Sequence, residues 1–284
     1  MTWLTYHVIF RLHSPMHIGK GKVGNLQRTH FFVTGRVFWG ALAMRMTRNN
    51  PELLKQERNK AYKTIGDKLH EEIAYTYFYP TVQTEDETYK VQWPWENPEQ
   101  FKSRLIRSYA STALSYPAQG AEEASLHETE FISPWTIDSV NTMPVFLSGY
   151  LFVKAGTHLE WRTALERLQF GGERCYGWGD VRLKECVFIE NANLFDGRFQ
   201  VDINQDRPVI SLFRDARLLA HTEAMETIAH GDIEPLVGRE WRDFEQINRF
   251  AGQHVAFNSI CFTPGSSLNQ AADFRIGKYG VWEK

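Results

Sequence analysis

A chain of 284 residues that is 43% hydrophobic and 23% charged has the make-up of a soluble globular protein, long enough for one large domain or two modest ones. No apolar run approaches the roughly 20 residues of a membrane span and the N-terminus carries no secretory apolar segment, so a cytoplasmic protein with no membrane partner is expected. The formal charge of −2 hides an asymmetry: residues 1–50 hold Arg11, Lys20, Lys22, Arg28, Arg36, Arg45 and Arg48 and no acid, a segment at +7 that leaves −9 for the remainder.

A one-signed segment of this kind attracts phosphates whatever the charge of the whole chain, because each phosphate contact releases counterions. The three cysteines, Cys175, Cys186 and Cys261, are far apart, with no CxxC pair and no histidine at zinc-ligand spacing. Neither a disulfide framework nor a metal site is expected, and no cofactor.

The first element is a strand over "LTYHVIFRLHS", alternating around Val8, Phe10 and Leu12. A glycine- and lysine-bearing loop, "PMHIGKGKVGNLQRTHFFVTG", closes on the apolar run from Phe31 to Val33. "GRVFWGALAMRMTR" reads as a helix with Thr34 as N-cap; Phe38, Leu42 and Met46 share its apolar side, and Arg45 and Arg48 lie on another, open to a ligand. "IAYTYFYPTV" and "ETYKVQWPW" suggest paired strands, "EQFKSRLIRSYASTAL" a helix and "VFLSGYLFVKA" a strand. A helix over "THLEWRTALERLQ" is predicted next, with Thr157 and Glu160 as a capping box and Trp161, Leu165 and Leu168 as its core stripe. A glycine loop then leads into the strand "VRLKECVFIE". This is the βαββαβ order of an α+β, ferredoxin-like fold with insertions. From about residue 191 onward the chain is β-rich, either a second subdomain or an extension of the first sheet.

The loop "FGGERCYGWGDV" is chemically the most suggestive stretch. Gly171, Gly172, Gly177 and Gly179 tolerate positive φ and admit a ligand's backbone, Arg174 offers a planar fork to phosphate, and Tyr176 and Trp178 offer faces to bases. It has neither the order of a phosphate-binding P-loop nor the strand-to-helix setting of a dinucleotide fingerprint. The plain alternative is a tight helix-to-strand connection with aromatic packing. His127, Glu128 and Glu130 in "SLHETE" are read as solvated surface, and Asp202, Asp206 and Asp215 show no ligand spacing. Trp93, Trp95, Trp241 and Trp282 are read first as core and second as interface residues.

Two stretches together, "SPMHIGKGKVGNLQRTHFFVTGRVFWGALAMRM" and "LQFGGERCYGWGDVRL", resemble the N-terminal signature and the C-terminal glycine-rich loop of CRISPR-associated RAMP proteins. The resemblance spans about residues 4–190 and covers the tail weakly. It implies a subunit of a type III effector ribonucleoprotein, similar to the cap proteins that grip the 5′ tag of the CRISPR RNA. Other effector subunits are implied partners, and target RNA is reached only indirectly. Family members that slice target RNA place an aspartate between the first strand and first helix; residues 18–35 hold no acid, and Asn25 is a poor substitute.

The expectation is therefore an RNA-binding protein without catalysis, in a ferredoxin-like unit over 1–190 and a β-rich unit over 191–284. Lys20, Lys22, Arg28 and Arg36 would meet phosphates, Arg45 and Arg48 would support them, and His17 and His30 would flank the basic loop. Gly171, Gly172, Arg174, Tyr176, Gly177, Trp178 and Gly179 would hold the guide. One alternative is an endoribonuclease maturing precursor CRISPR RNA through His17 or His30; another is a structural subunit that touches RNA little.

Overall fold

The computed structural model describes residues 2–57, 60–116, 120–137, 141–240 and 254–284. The first strand, β1 (Trp3–Leu12), alternates as its sequence demands, with Val8, Phe10 and Leu12 in one apolar core and Trp3 in another. The glycine- and lysine-bearing stretch that follows is not a loop. It folds into a hairpin, β2 (Gly19–Val23) and β3 (Leu26–Thr29), because Gly24, at φ 58°, and Asn25 supply a two-residue turn.

Helix α1 (Gly35–Arg48) buries Phe38, Leu42 and Met46 as its spacing predicts. Thr34 occupies the N-cap in an extended conformation, but its side chain makes no capping hydrogen bond. Helices α2 (Pro51–Glu57) and α3 (Ala61–Glu72) follow, then β4 (Ile73–Tyr75), β5 (Tyr79–Gln83) and β6 (Tyr89–Val91), the last two paired.

The helix expected over residues 99–114 stops early. Helix α4 (Pro98–Leu105) is capped by Asn97, whose side chain accepts from the Gln100 amide at 3.1 Å, and it buries Phe101 and Leu105. Beyond Leu105 the chain becomes β7 (Ile106–Ser111), followed by a short ladder of β8 (Leu114–Ser115) with β9 (Gly120–Ala121). Strand β10 (His127–Ile132) joins β7 and β3 in a small sheet of order β2-β3-β10-β7.

Strand β11 (Val145–Lys154) is buried almost throughout. The second predicted helix shrinks to α5 (Trp161–Leu165), and Arg167–Gln169 forms β12. Its capping box does not form: the Thr157 hydroxyl donates to the Glu72 carboxylate and accepts from the Leu159 amide, and Glu160 sits at the N-cap without a side-chain bond. After β13 (Asp180–Ile189) come β14 (Asn193–Leu194), β15 (Phe199–Asp202), β16 (Val209–Leu212), β17 (Thr222–Glu223) and β18 (Ala229–His230). The long β19 (Ile233–Glu240) and β20 (His254–Phe262), then β21 (Ser267–Leu268), β22 (Ala272–Ile276) and β23 (Trp282–Glu283), complete the α+β chain.

The central sheet runs β12-β13-β1-β11-β5-β6, antiparallel at each junction, with β4 also on β11. On one face Phe10, Leu147 and Val181 pack with Phe38, Leu42, Leu69 and Leu165 of the helices. On the other, Trp3, Tyr79 and Phe152 share a core with Phe199, Ile210, Phe274 and Trp282 of an eight-stranded sheet running from β14 to β19. The described residues from Asn193 onward therefore cover the face the helices leave open. A sheet burying apolar side chains on both faces needs such a cover, which explains why β11 reads as one apolar run.

Candidate nucleic-acid interface

The glycine loop is built around hydrogen bonds to the segment after β1. The Gly172 amide donates to the His17 carbonyl at 2.9 Å, Gly179 donates to Pro15 at 2.7 Å, and Phe170 donates to Gly179 at 2.8 Å. Gly171 and Gly179 have φ of 80° and 76°, and a Cβ there would lie 2.0 Å from the His17 oxygen and 1.9 Å from the Phe170 oxygen. These two glycines serve close backbone packing. Gly177, at φ 82°, has nothing within 4 Å of a Cβ and faces open space. Trp178 packs edge-on against Phe131 of β10 at 5.1 Å, whereas Tyr176 is 81% exposed.

Docking the loop against the basic segment creates one wall of a groove of about 960 Å³. The other wall is β19, distant in sequence, and the groove is lined by Lys20, Arg36, Arg174 and Arg239 together with Tyr62, Met44 and Tyr279. The Arg36 guanidinium lies 4.1 Å above the Tyr279 ring, and a Cβ at Gly238 would fall 2.3 Å from its Cζ, so a glycine lets the strand approach α1 this closely.

Glu234 is the one acid lining the groove among the described residues. Behind it His221, fully buried, donates from Nε2 to Glu234 Oε1 at 2.5 Å and accepts at Nδ1 from the buried Tyr77 hydroxyl at 2.8 Å. In front, Lys20 Nζ is 3.9 Å from Oε2 and His30 Nε2 is 3.8 Å from Oε1. Burial pushes the Glu234 carboxyl upward, but the His221 hydrogen bond and the charges around it leave it below the ordinary carboxylate value. Burial, only partly countered by Glu234, lowers His30 to about 3, so its imidazole is neutral at pH 7.

Of the residues singled out by sequence, Lys20, His30, Arg36, Gly171, Gly172 and Arg174 meet in this groove. His17 lies beneath the glycine loop, its Nδ1 donating to the Glu130 carbonyl at 2.7 Å. Lys22 and Arg28 stand exposed on the β2–β3 hairpin. Arg45 is not wholly open to a ligand: its Nε donates to the Arg167 carbonyl at 3.0 Å, while Arg48 is exposed. Arg11 is drawn away, donating to the carbonyls of Pro134 and Val145 and lying 4.7 Å over Trp135.

Tyr77, His221, Glu234, Arg239 and Tyr279 carry no local motif and were not signalled by the sequence. Trp93 and Trp282 are buried in the second core and Trp95 packs against it, while Trp241 lies outside the described residues. In "SLHETE", the Glu128 carboxylate accepts from Ser108 and that of Glu130 from the Thr29 amide at 3.2 Å. No group of three or more His, Cys, Asp or Glu side chains among the described residues is arranged to hold a metal ion. No helix among them is long and apolar enough to cross a membrane.

Fold and groove together define the class: an α+β protein whose helix-covered sheet and β-rich cover enclose a cationic groove. No family model and no curated protein matches the chain. Among solved structures it is similar to a chain of the type III-B Cmr-beta bound to cognate target RNA and AMPPnP, state 1, with a TM-score of 0.51 and 8% identity over 92% of this chain and 85% of that one. Chains of the Cmr-beta bound to cognate target RNA and of its apo state give TM-scores of 0.40 and 0.41 at 9% identity, over 63% and 66% of this chain and 96% and 97% of theirs. At such identity the likeness is one of fold.

Proposed function

We propose that this chain is a noncatalytic RNA-binding subunit of a type III CRISPR effector complex, a RAMP protein that grips the CRISPR RNA at its backbone or 5′ tag. The observation that carries the reading is the groove, which Lys20, Arg36, Arg174 and Arg239 line from four elements, with Glu234 the one acid among the described residues. Such a field suits a phosphodiester strand, and Tyr62 and Tyr279 add faces for bases. The strand order supports a ferredoxin-like core: β1, α1, β5, β11, α5 and β13 follow one another, with β13 and β11 flanking β1 and β5 outside β11. Residues 1–190 would then form the RAMP unit and 191–284 its cover.

Other effector subunits are the natural protein partners, reached through exposed apolar positions such as Val255 and Phe257 on β20. Target RNA would be met only indirectly, and the chain would work in the cytoplasm. A second reading rests on His30, a neutral imidazole facing the groove beside Lys20, the pair a metal-independent endoribonuclease would use. End-labelled repeat RNA, incubated in EDTA and run on native and denaturing gels, tests both. A shifted, intact RNA supports the proposal. A discrete cut lost in His30→Ala replaces it with the nuclease, and an unshifted RNA at moderate salt refutes both.

A further inference from the structure

The Glu234 carboxylate is an unusual group to find in a groove otherwise built for anions. Surface acids opposing a phosphate strand weaken it, yet this one is held in place: buried His221 fixes Oε1 from behind, and the buried Tyr77 hydroxyl fixes His221 in turn. Its front edge is underfilled. Lys20 at 3.9 Å and His30 at 3.8 Å both stand beyond hydrogen-bond reach, so Oε2 and the second lone pair of Oε1 remain acceptors directed at the groove.

The local pattern is a donor, Lys20 Nζ, beside a two-oxygen acceptor. Guanine presents the complement on its Watson–Crick edge: the O6 acceptor, then the N1–H and N2–H donors. A carboxylate takes both N–H groups while an ammonium beside it serves O6. Adenine, cytosine and uracil each offer one donor with a ring nitrogen or carbonyl acceptor next to it, which would face the second carboxylate oxygen and repel it. Such edges are available only on an unpaired base, which is how single-stranded RNA is read. A groove of about 960 Å³ has room for a nucleotide, with Arg36, Arg174 and Arg239 along the same groove for its phosphates.

We propose that Glu234, with Lys20 beside it, reads a single unpaired guanine carried on the bound RNA strand. Glu234 is thus a specificity-determining residue, and Tyr77 and His221 are its positioning residues. The inference rests on the RNA-binding reading above and adds a base preference to it.

The test uses the full chain and dye-labelled oligouridine strands of one length carrying a central guanosine, inosine, adenosine or cytidine, with affinities read by fluorescence anisotropy at fixed salt. Inosine keeps O6 and N1–H and lacks only the 2-amino group. The guanosine strand should bind tightest and the inosine strand on the order of tenfold more weakly. Glu234→Gln keeps an oxygen for His221 but turns one acceptor into a donor, and should bring the guanosine strand to the level of the others. Equal, tight binding of all strands by the native protein overturns the guanine reading and leaves RNA binding intact. So does a guanosine preference that Glu234→Gln leaves unchanged. Failure to bind any strand overturns RNA binding itself. The guanosine–inosine comparison needs no variant, so equal binding of those two strands overturns the proposal even where Glu234→Gln misfolds.

Discussion

Alanine substitutions in the glycine loop separate glycines required by packing from one required only by conformation. At Gly177 alanine meets no neighbour within 4 Å, and the penalty is that of holding a side-chain residue at φ 82°, roughly 1–2 kcal/mol. At Gly179 the same conformational penalty is joined by a Cβ 1.9 Å from the Phe170 oxygen. Relief requires moving a backbone that makes the 2.7 Å bond to Pro15 and the 2.8 Å bond from Phe170, and losing one such buried bond costs about 1–3 kcal/mol more. Gly171 is equivalent, with its Cβ 2.0 Å from the His17 oxygen that accepts from Gly172. At roughly 2–4 °C per kcal/mol for a chain of this size, Gly177→Ala should lower the melting temperature by about 2–8 °C. Gly171→Ala and Gly179→Ala should lower it by roughly 4–20 °C on the same scale. Thermal melts followed by circular dichroism give the order directly. If Gly179→Ala melts no lower than Gly177→Ala, the backbone contacts are not what the glycines are for.

Acid should unfold the protein through groups whose protonation the fold opposes. His30 binds its proton only near pH 3 when folded but near 6.5 when unfolded, so its contribution is intact above 6.5 and lost as pH falls from there. His70, lowered to about 4 by burial, acts in the same direction over the same range, whereas the depressed Glu234 adds its loss only below about pH 4.5. Urea midpoints should therefore fall between pH 7 and pH 4.5, less steeply in His70→Phe; a flat profile contradicts the burial argument. Trp178→Ala, which strips a ring from Phe131, should lower the melting temperature without Tyr176→Ala doing so, whereas Tyr176→Ala should weaken RNA binding by about 1–3 kcal/mol if that exposed ring stacks on a base. Arg174→Ala and Arg239→Ala should each reduce the slope of log affinity against log salt by about one, and Lys22→Ala, on the hairpin away from the groove, by less. Equal slopes for all three would mean that the groove is not the path of the strand.

What the sequence disclosed depended on how locally each feature is encoded. Strand β1 and helix α1 were legible because each carries its own apolar period, and β11 because it is a single apolar run, buried almost throughout. The helix predicted over 99–114 ran too far because the spacing of Phe101 and Leu105 continues to Tyr109, which lies exposed on strand β7. The β2–β3 hairpin was missed although Gly24 and Asn25 form a recognised turn pair, because lysines and glycines fill the strand before it and no apolar alternation marks it.

The groove divides along the same line. Its basic loop, α1 and glycine-loop wall come from stretches dense in arginine, lysine and glycine, and these were visible. Its β19 wall was not, since Glu234 is one of 34 acids and only the fold sets it before Lys20 and His30. The charge asymmetry pointed the right way for a reason the sequence alone does not contain. Of the seven early cations, Arg11 is spent on the carbonyls of Pro134 and Val145 and Arg45 makes a bond to Arg167, so the field in the groove comes from Lys20 and Arg36, reinforced by Arg174 and Arg239 from beyond residue 50. That these four cations line one groove with Glu234 is therefore a property of how the β-rich cover meets the helix-backed sheet. A truncation ending near residue 190 would keep every stretch that resembles a RAMP protein and lose Glu234, Arg239 and the wall that makes them a site.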